Sequence, residues 1–291
     1  MQPLVSVIIP VKDRSESLLK ALVSLENQVF RDFEILVVDD HSQVSPSKIL
    51  ESYNPKVFRQ RKNLGEHIPP IPIRWLLAKG EGVSAARNTG IEASSSEFIG
   101  LLDSDDEWAP EKLLKQIQYL EDHPHIPLVH TDEIWIRNGV RVNPMKKHQK
   151  SGGRIFERCT ELCVISPSAS VFRRELLDQV GMFDESFVVC EDYDLWLRIA
   201  SKFEIGYIDE ALTLKYGGHE DQLSRKYHSM DLWRLRALSK HLKGDGLSEL
   251  ELKKVKEQIR LKGEVLMKGF IKHQNYTHVD EVQGFLKQAF L

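Results

Sequence analysis

The sequence predicts an α/β fold: a mostly parallel central sheet with helices on both faces, extended at the C-terminus by helices alone. Three observations predict it. Through the first 124 residues, apolar runs rich in β-branched residues alternate with stretches whose apolar residues recur at helical spacing. Those β-rich runs are apolar throughout rather than alternating, as strands buried on both faces are. From about residue 228 onward, helical spacing dominates.

The elements follow in order. LVSVIIP (4–10) is a first strand, not a signal peptide, because no basic leader or small-residue cleavage site accompanies it. SESLLKALVSLENQ (15–28) has Leu18, Leu19, Leu22 and Leu25 at helical spacing, with Ser15 as a candidate cap. FEILVVDD (33–40) is a second strand, 44–53 a weaker helix, and 73–77 a third strand once the prolines before it are past. GVSAARNTGIEAS (82–94) reads as a helix, EFIGLLD (97–103) as a strand, and PEKLLKQIQYLEDHP as a helix between Pro110 and Pro124. Beyond 125, IPLVHTDEIWIRNGVRVN reads as a hairpin turning at Asn138-Gly139. RRELLDQVG and EDYDLWLRIASK read as short helices, and FEIGYID and ALTLKY as two short strands. Gly244-Asp245-Gly246 breaks the helical tail.

Composition narrows the function classes. The net charge of -3 offers no cationic excess for nucleic acid. No apolar run approaches the ~20 residues of a membrane helix. Cys159, Cys163 and Cys190 are odd in number and not densely spaced, which points to reduced thiols and a cytoplasmic protein rather than a zinc site.

Chemistry concentrates in the acids. In an open parallel sheet, ligands bind at the C-terminal ends of the strands. Asp39-Asp40 and the group Asp103, Asp105 and Asp106 lie there. Carboxylates crowded together repel, so a cation or a ring of donors must offset them, and hard oxygen ligands beside phosphate suit Mg2+ or Mn2+. For Asp40 alone, a turn or a helix cap is the preferred role. Glu191-Asp192 open a helix, where acids either face a cleft or complement the helix dipole.

VSVIIPVKDR, FEILVVDDHS, GVSAARNTGI, LLDSDDEW and EDYDLWLRIA occur in that order. Together they closely resemble the family 2 glycosyltransferases, whose fold is the nucleotide-sugar-binding GT-A fold, over about residues 4 to 225. The resemblance implies that Pro10, Val11 and Asp13 form the loop holding the donor nucleotide, and that Asp39 accepts a hydrogen bond from its base, typically uracil. It places Arg87 toward the active centre and identifies Asp103-Ser104-Asp105 with the Asp-x-Asp element. Asp103 would lie near ribose and metal, Asp105 would bind the metal, and Asp106 would support them. Asp192 resembles the catalytic base, with Glu191 positioning it or touching the acceptor. His219 resembles a metal or diphosphate contact, and Arg225 and Lys226 could neutralise the leaving group.

The implied activity is inverting, metal-dependent transfer from a nucleoside-diphosphate sugar, read as UDP-linked, to a carbohydrate, glycolipid or other hydroxyl acceptor. Cell-surface polysaccharide or glycoconjugate assembly in a bacterium fits it. Two alternatives are weaker. A sugar-phosphate nucleotidyltransferase would need a Gly-rich loop where PVKDRSES stands, and a non-catalytic binding module would lack the metal acid or the base. The expected division is 1–227, with 1–124 for the donor and 125–227 for the acceptor, and a helical subdomain at 228–291. That tail carries 12 Lys+Arg against 8 Asp+Glu. A subdomain packed on the core is the preferred role. The other option is a homodimer interface or peripheral attachment at the inner face of an anionic membrane. MKKHQK (145–150) is a basic loop taken as solvated surface, and Trp75, Trp135, Trp196 and Trp233 are expected to pack.

Overall fold

A computed structural model describes residues 2–47, 70–218, 229–243 and 246–290. The expected helix at 44–53 and the break at Gly244-Asp245 lie largely outside them. Strands β1 (Val5–Val11), β2 (Phe33–Asp39), β3 (Ile73–Leu77) and β4 (Phe98–Leu101) pair in parallel in the order β3-β2-β1-β4. Beyond β4 the sheet becomes mixed. β8 (Ser170–Arg173) runs antiparallel to β4 and to β6 (Leu128–Arg137). β9 (Gly206–Gly217) runs parallel to β6, and the short β5 (Glu107–Trp108) closes the far edge against β9.

Every residue of β1 and β2 is buried, because the sheet is covered on both sides. Side chains alternate between the faces. Val5, Val7, Ile9 and Val11 pack with Leu18, Leu22 and Leu25 of α1 (Ser15–Glu26) and Leu113, Ile117 and Leu120 of α3 (Lys112–Asp122). Ile8, Leu36 and Val38 face α2 (Val83–Ala93) through Ala86 and Ile91. Gly90 permits that approach: a Cβ there would come within 2.6 Å of Ile8 Cγ2.

The second core also receives Leu195, Trp196 and Ile199 of α6 (Glu191–Ala200). It continues into Leu235 and Leu238 of α7 (Met230–Ser239), Val255 and Ile259 of α8 (Glu249–His273), and Val282 of α9 (Val279–Phe290). Lys240 donates to buried Asp194 at 2.6 Å, Lys262 donates to the Glu161 carbonyl at 3.0 Å, and Arg236 pairs with Glu281. Ser248 and Glu251 form a capping box at the start of α8. No helix among the described residues is long and apolar enough to cross a membrane.

The hairpin forms as expected: β7 (Val140–Val142) pairs with β6 across Asn138 (φ 50°) and Gly139 (φ 77°), the left-handed pair a tight two-residue turn requires. Other expectations are corrected. Ser15 is the first residue of α1 and makes no cap; Arg14 holds the N-cap position without a side-chain cap bond. FEIGYID and ALTLKY are not two strands. They form one strand, β9, which absorbs two register shifts beside Thr131 and Asp132. β5, β8, α4 (Phe156–Glu161) and the short turn Pro167–Ala169 had no sequence signal, being too brief for periodicity to register. The remaining short helix, α5 (Leu176–Val180), matches RRELLDQVG.

His130 on β6 is fully buried, with Nε2 donating to the Ser151 carbonyl at 2.9 Å and Nδ1 unpartnered. Burial, then the nearby Lys150 charge, lowers its pKa from 6.5 to about 3. A group kept neutral by folding binds its proton in the unfolded chain first. Stability is therefore full above the unfolded value of 6.5 and is lost as pH falls toward 3. Urea unfolding should show a loss of roughly 2–3 kcal/mol between about pH 6.5 and 4, and His130→Gln should remove most of that slope.

Candidate functional site

The C-terminal ends of β1, β2 and β4 converge. Pro10 and Val11 stand beside Val38 and Asp39 in the register of β1 with β2. The loop after β1 is tied to the loop after β2: Asp13 N–H donates to Ser42 Oγ at 2.9 Å, and Gln43 N–H donates to Asp13 Oδ1 at 2.7 Å. Ser42 N–H donates to Asp39 Oδ1 at 2.9 Å. Asp39 is 4% exposed, and Asp13, at φ 53°, is exposed and left-handed. Asp40 takes its expected structural role: its Oδ1 accepts the Gly82 N–H at 2.7 Å, at the mouth of α2.

Arg87 unites three sequence motifs. It projects from α2, 2% exposed, and donates from Nη1 to Glu191 Oε1 at 2.5 Å and from Nη2 to Asp103 Oδ1 at 2.8 Å. Burial alone would lower its pKa; the charges of Asp103 and Glu191 outweigh that and hold it above its ordinary value. Glu191 moves in the opposite sense for a pair member. Burial pushes its carboxyl up to about 7, Arg87 opposes, and Asp192 adds to the rise. One guanidinium shared between two carboxylates does not fully offset the desolvation of the more buried one.

Asp105 is paired with Arg14, the residue after Asp13. Asp106 is 2% exposed and its Oδ1 accepts the Tyr216 N–H of β9 at 2.9 Å. Burial first, then the charges of Asp105 and Asp103, raises its pKa well above the carboxylate range. The turn carrying these acids is clamped between β4 and the β5–β9 pair. Trp108 is buried beneath it and donates to the Ser168 carbonyl at 2.7 Å.

Glu191 and Asp192 open α6. Cys190 before them is left-handed at φ 61°, a conformation that costs a non-glycine residue roughly 1–2 kcal/mol and aims the first turn of the helix. Asp192 is half-buried. It accepts from Tyr193 N–H at 2.7 Å and from the Cys163 thiol at 3.3 Å. Burial, then Asp192, pushes the Cys163 pKa well up, so the thiol stays a donor to this carboxylate.

Sequence reasoning missed two cations. Arg14 was passed over within the first motif. Lys215 lies in ALTLKY, where only a strand is expected, yet it donates to Ser166 Oγ at 2.9 Å. Burial would lower its pKa, but Glu133, Asp106, Asp103 and Asp192 together hold it above its ordinary value. The signal available was alternation: Thr213 and Lys215 share one face of β9, and only the pairing of β9 with β6 and β5 turns that face toward the acids. His219, Arg225 and Lys226 lie outside the described residues.

Among the described residues, no three His, Cys, Asp or Glu side chains converge on a metal position. Asp103 and Asp105 nevertheless offer two half-buried carboxylates on one turn. That donor set would fit a hard dication once Arg14 yields Asp105.

A glycosyltransferase of Rickettsia felis is 32% identical over 215 residues, 72% of this chain and 32% of that protein. The chain thus spans about a third of the length of the Rickettsia relatives. The amylovoran biosynthesis glycosyltransferase AmsB of Erwinia amylovora is 26% identical over 302 residues, covering 97% of this chain and 94% of that one. Among solved structures, S. aureus TarS in complex with UDP-GlcNAc matches with a TM-score of 0.67 at 21% identity, over 99% of this chain and 79% of that one. A mannosyltransferase of Pyrobaculum calidifontis in complex with GDP-Man and Mn2+ matches at 0.58 and 16% identity, over 99% and 86%. At these identities the likeness shows the fold, which is GT-A. The model of the family described as Glycosyl transferase family 2 matches residues 6–68 and 73–181, more than half of the sequence, and the chain belongs to that family.

Proposed function

We propose that the protein transfers a glycosyl group, with inversion, from a nucleoside-diphosphate sugar to an acceptor hydroxyl in bacterial cell-surface polysaccharide or glycoconjugate synthesis. The donor is read as UDP-linked. The observation carrying this is the Arg87 junction, which ties the Asp-x-Asp turn to the Glu191-Asp192 helix start through bonds of 2.8 and 2.5 Å. Motifs about a hundred residues apart meet at one buried cation, as a donor site and a base must.

The chemistry follows from those positions. Asp192 takes the proton from the acceptor hydroxyl as its oxygen forms the new bond to the anomeric carbon. The bond from that carbon to the β-phosphate oxygen breaks, and the nucleoside diphosphate leaves with the electron pair. Asp39 and the Asp13 loop hold the nucleotide. Asp103 and Asp105 would hold Mn2+ or Mg2+, which when bound neutralises the diphosphate leaving group. Lys215 adds a fixed positive charge on the same side. Residues 1–124 would serve the donor and 125–227 the acceptor, with 228–291 a supporting subdomain. Three free cysteines support a cytoplasmic location.

One observation favours a second reading, without metal. Arg14 and Arg87 already neutralise Asp105 and Asp103. A donor screen with UDP-, GDP- and dTDP-sugars, scoring hydrolysis with EDTA and with added Mn2+, decides between the two. The expected result is a Mn2+-dependent response to UDP-sugars, lowered roughly 100-fold or more in Asp105→Ala. Full turnover in EDTA, with Asp105→Ala behaving as wild type, would establish the metal-free alternative.

A further inference from the structure

Residues 134–156 contain six Lys+Arg and no Asp or Glu, in a chain whose net charge is -3. Two of the six are neutralised: Lys150 pairs with Glu133 at 3.0 Å and Arg154 with Glu251 at 3.3 Å. Arg137, Arg141, Lys146 and Lys147 are exposed and pair with no carboxylate among the described residues.

These charges connect to the candidate site through one strand. Glu133, Trp135 and Arg137 alternate along β6 and so share a face. Trp135 is the register partner of Lys215, and Arg137 that of Gly217. Lys215 adjoins Tyr216, whose N–H donates to Asp106 Oδ1 at 2.9 Å, and its ammonium feels the charges of Asp103, Asp106 and Asp192. Trp135 Nε1 donates to Glu133 Oε1 at 2.6 Å, which fixes the indole, and the Arg137 guanidinium lies 5.8 Å from the ring centroid. His148 contacts the same indole with ring centroids 5.1 Å apart, bringing the Lys146–His148 turn to this face. Arg158 donates to the Lys147 carbonyl and anchors that turn. The row therefore runs from the carboxylates through Lys215 and Trp135 to Arg137 and Lys147.

We infer that this row is an acceptor subsite, and that the acceptor is an acidic glycan chain bearing carboxylate or phosphate groups along its length. The inference rests on the glycosyl-transfer reading above. A half-buried indole offers an apolar face to a sugar ring, and exposed cations on either side pair with acidic substituents. A membrane-binding patch would need no continuous path to Asp192, whereas an acceptor chain being extended there does.

The probe is an oligogalacturonate of about eight sugars, compared with its methyl ester, which keeps the backbone and removes the charge. Calorimetry on the full chain should show the acid form binding at least about tenfold more tightly than the ester, with the difference shrinking as salt rises. The triple variant Arg137→Ala, Lys146→Ala, Lys147→Ala should lose about tenfold for the acid form while keeping wild-type affinity for a UDP-sugar. Retained donor affinity also shows that the variant folds. Equal binding of acid and ester, no binding of either, or no loss in the triple variant would overturn the subsite. So would loss of binding to anionic phosphatidylserine vesicles with oligogalacturonate binding intact. Failure of the wild type to bind any nucleotide sugar would instead strike the glycosyl-transfer reading, so the two failures are distinguishable.

Discussion

Asp192→Asn is expected to lower donor turnover by roughly 10²- to 10⁴-fold while leaving UDP-sugar affinity unchanged. Asparagine keeps the size and one oxygen of the side chain, so the bond from Tyr193 N–H at Oδ1 still has an acceptor, while an amide NH2 takes the place of the oxygen that accepts from the Cys163 thiol. What it removes is the ability to accept a proton as the attacking oxygen forms its bond. The loss should therefore fall on kcat. UDP release in single-turnover mixing, together with calorimetric donor affinity, separates the two quantities. Wild-type turnover in the asparagine variant would remove Asp192 from the chemistry.

Arg87→Ala is expected to cost roughly 3–5 kcal/mol of stability, the usual loss when one partner of a buried ion pair is deleted. Glu191, 6% exposed, would lose the Arg87 charge and hydrogen bond that oppose burial and the Asp192 charge. Its carboxyl, already at about 7 against an ordinary 4.5, would then rise further. The sign follows. A folded state holding that proton more firmly than the unfolded chain is favoured at low pH, and the advantage disappears as pH rises through the window above 4.5. Urea unfolding should thus show a larger deficit at pH 8 than at pH 5. A deficit below about 1 kcal/mol at both pH values would mean that the junction is not a structural centre.

Much of the fold was legible because burial leaves a one-dimensional trace. β1 and β2 are sandwiched between layers, so VSVIIPV and FEILVVD are apolar at nearly every position. α1 buries one stripe, so its leucines recur at helical spacing. The Asn138-Gly139 turn needs positive φ twice, and those residue types tolerate it. The candidate acids were visible for a related reason: Asp103, Asp105 and Asp106 follow an apolar strand without an intervening basic residue. The brief β5 and β8 left no such trace. Their pairing depends on partners about a hundred and about seventy residues away, and four residues or fewer cannot display a period.

The sequence by itself determined the alternation of layers and which strand ends carry carboxylates, because local burial and backbone geometry constrain residue type position by position. Tertiary structure alone decided which charges meet: Arg87 with Glu191 and Asp103, Arg14 with Asp105, and Lys215 with the face beside Trp135. The physical reason is that Coulomb attraction and desolvation depend on distance and burial, and neither quantity is written in the order of residues along the chain.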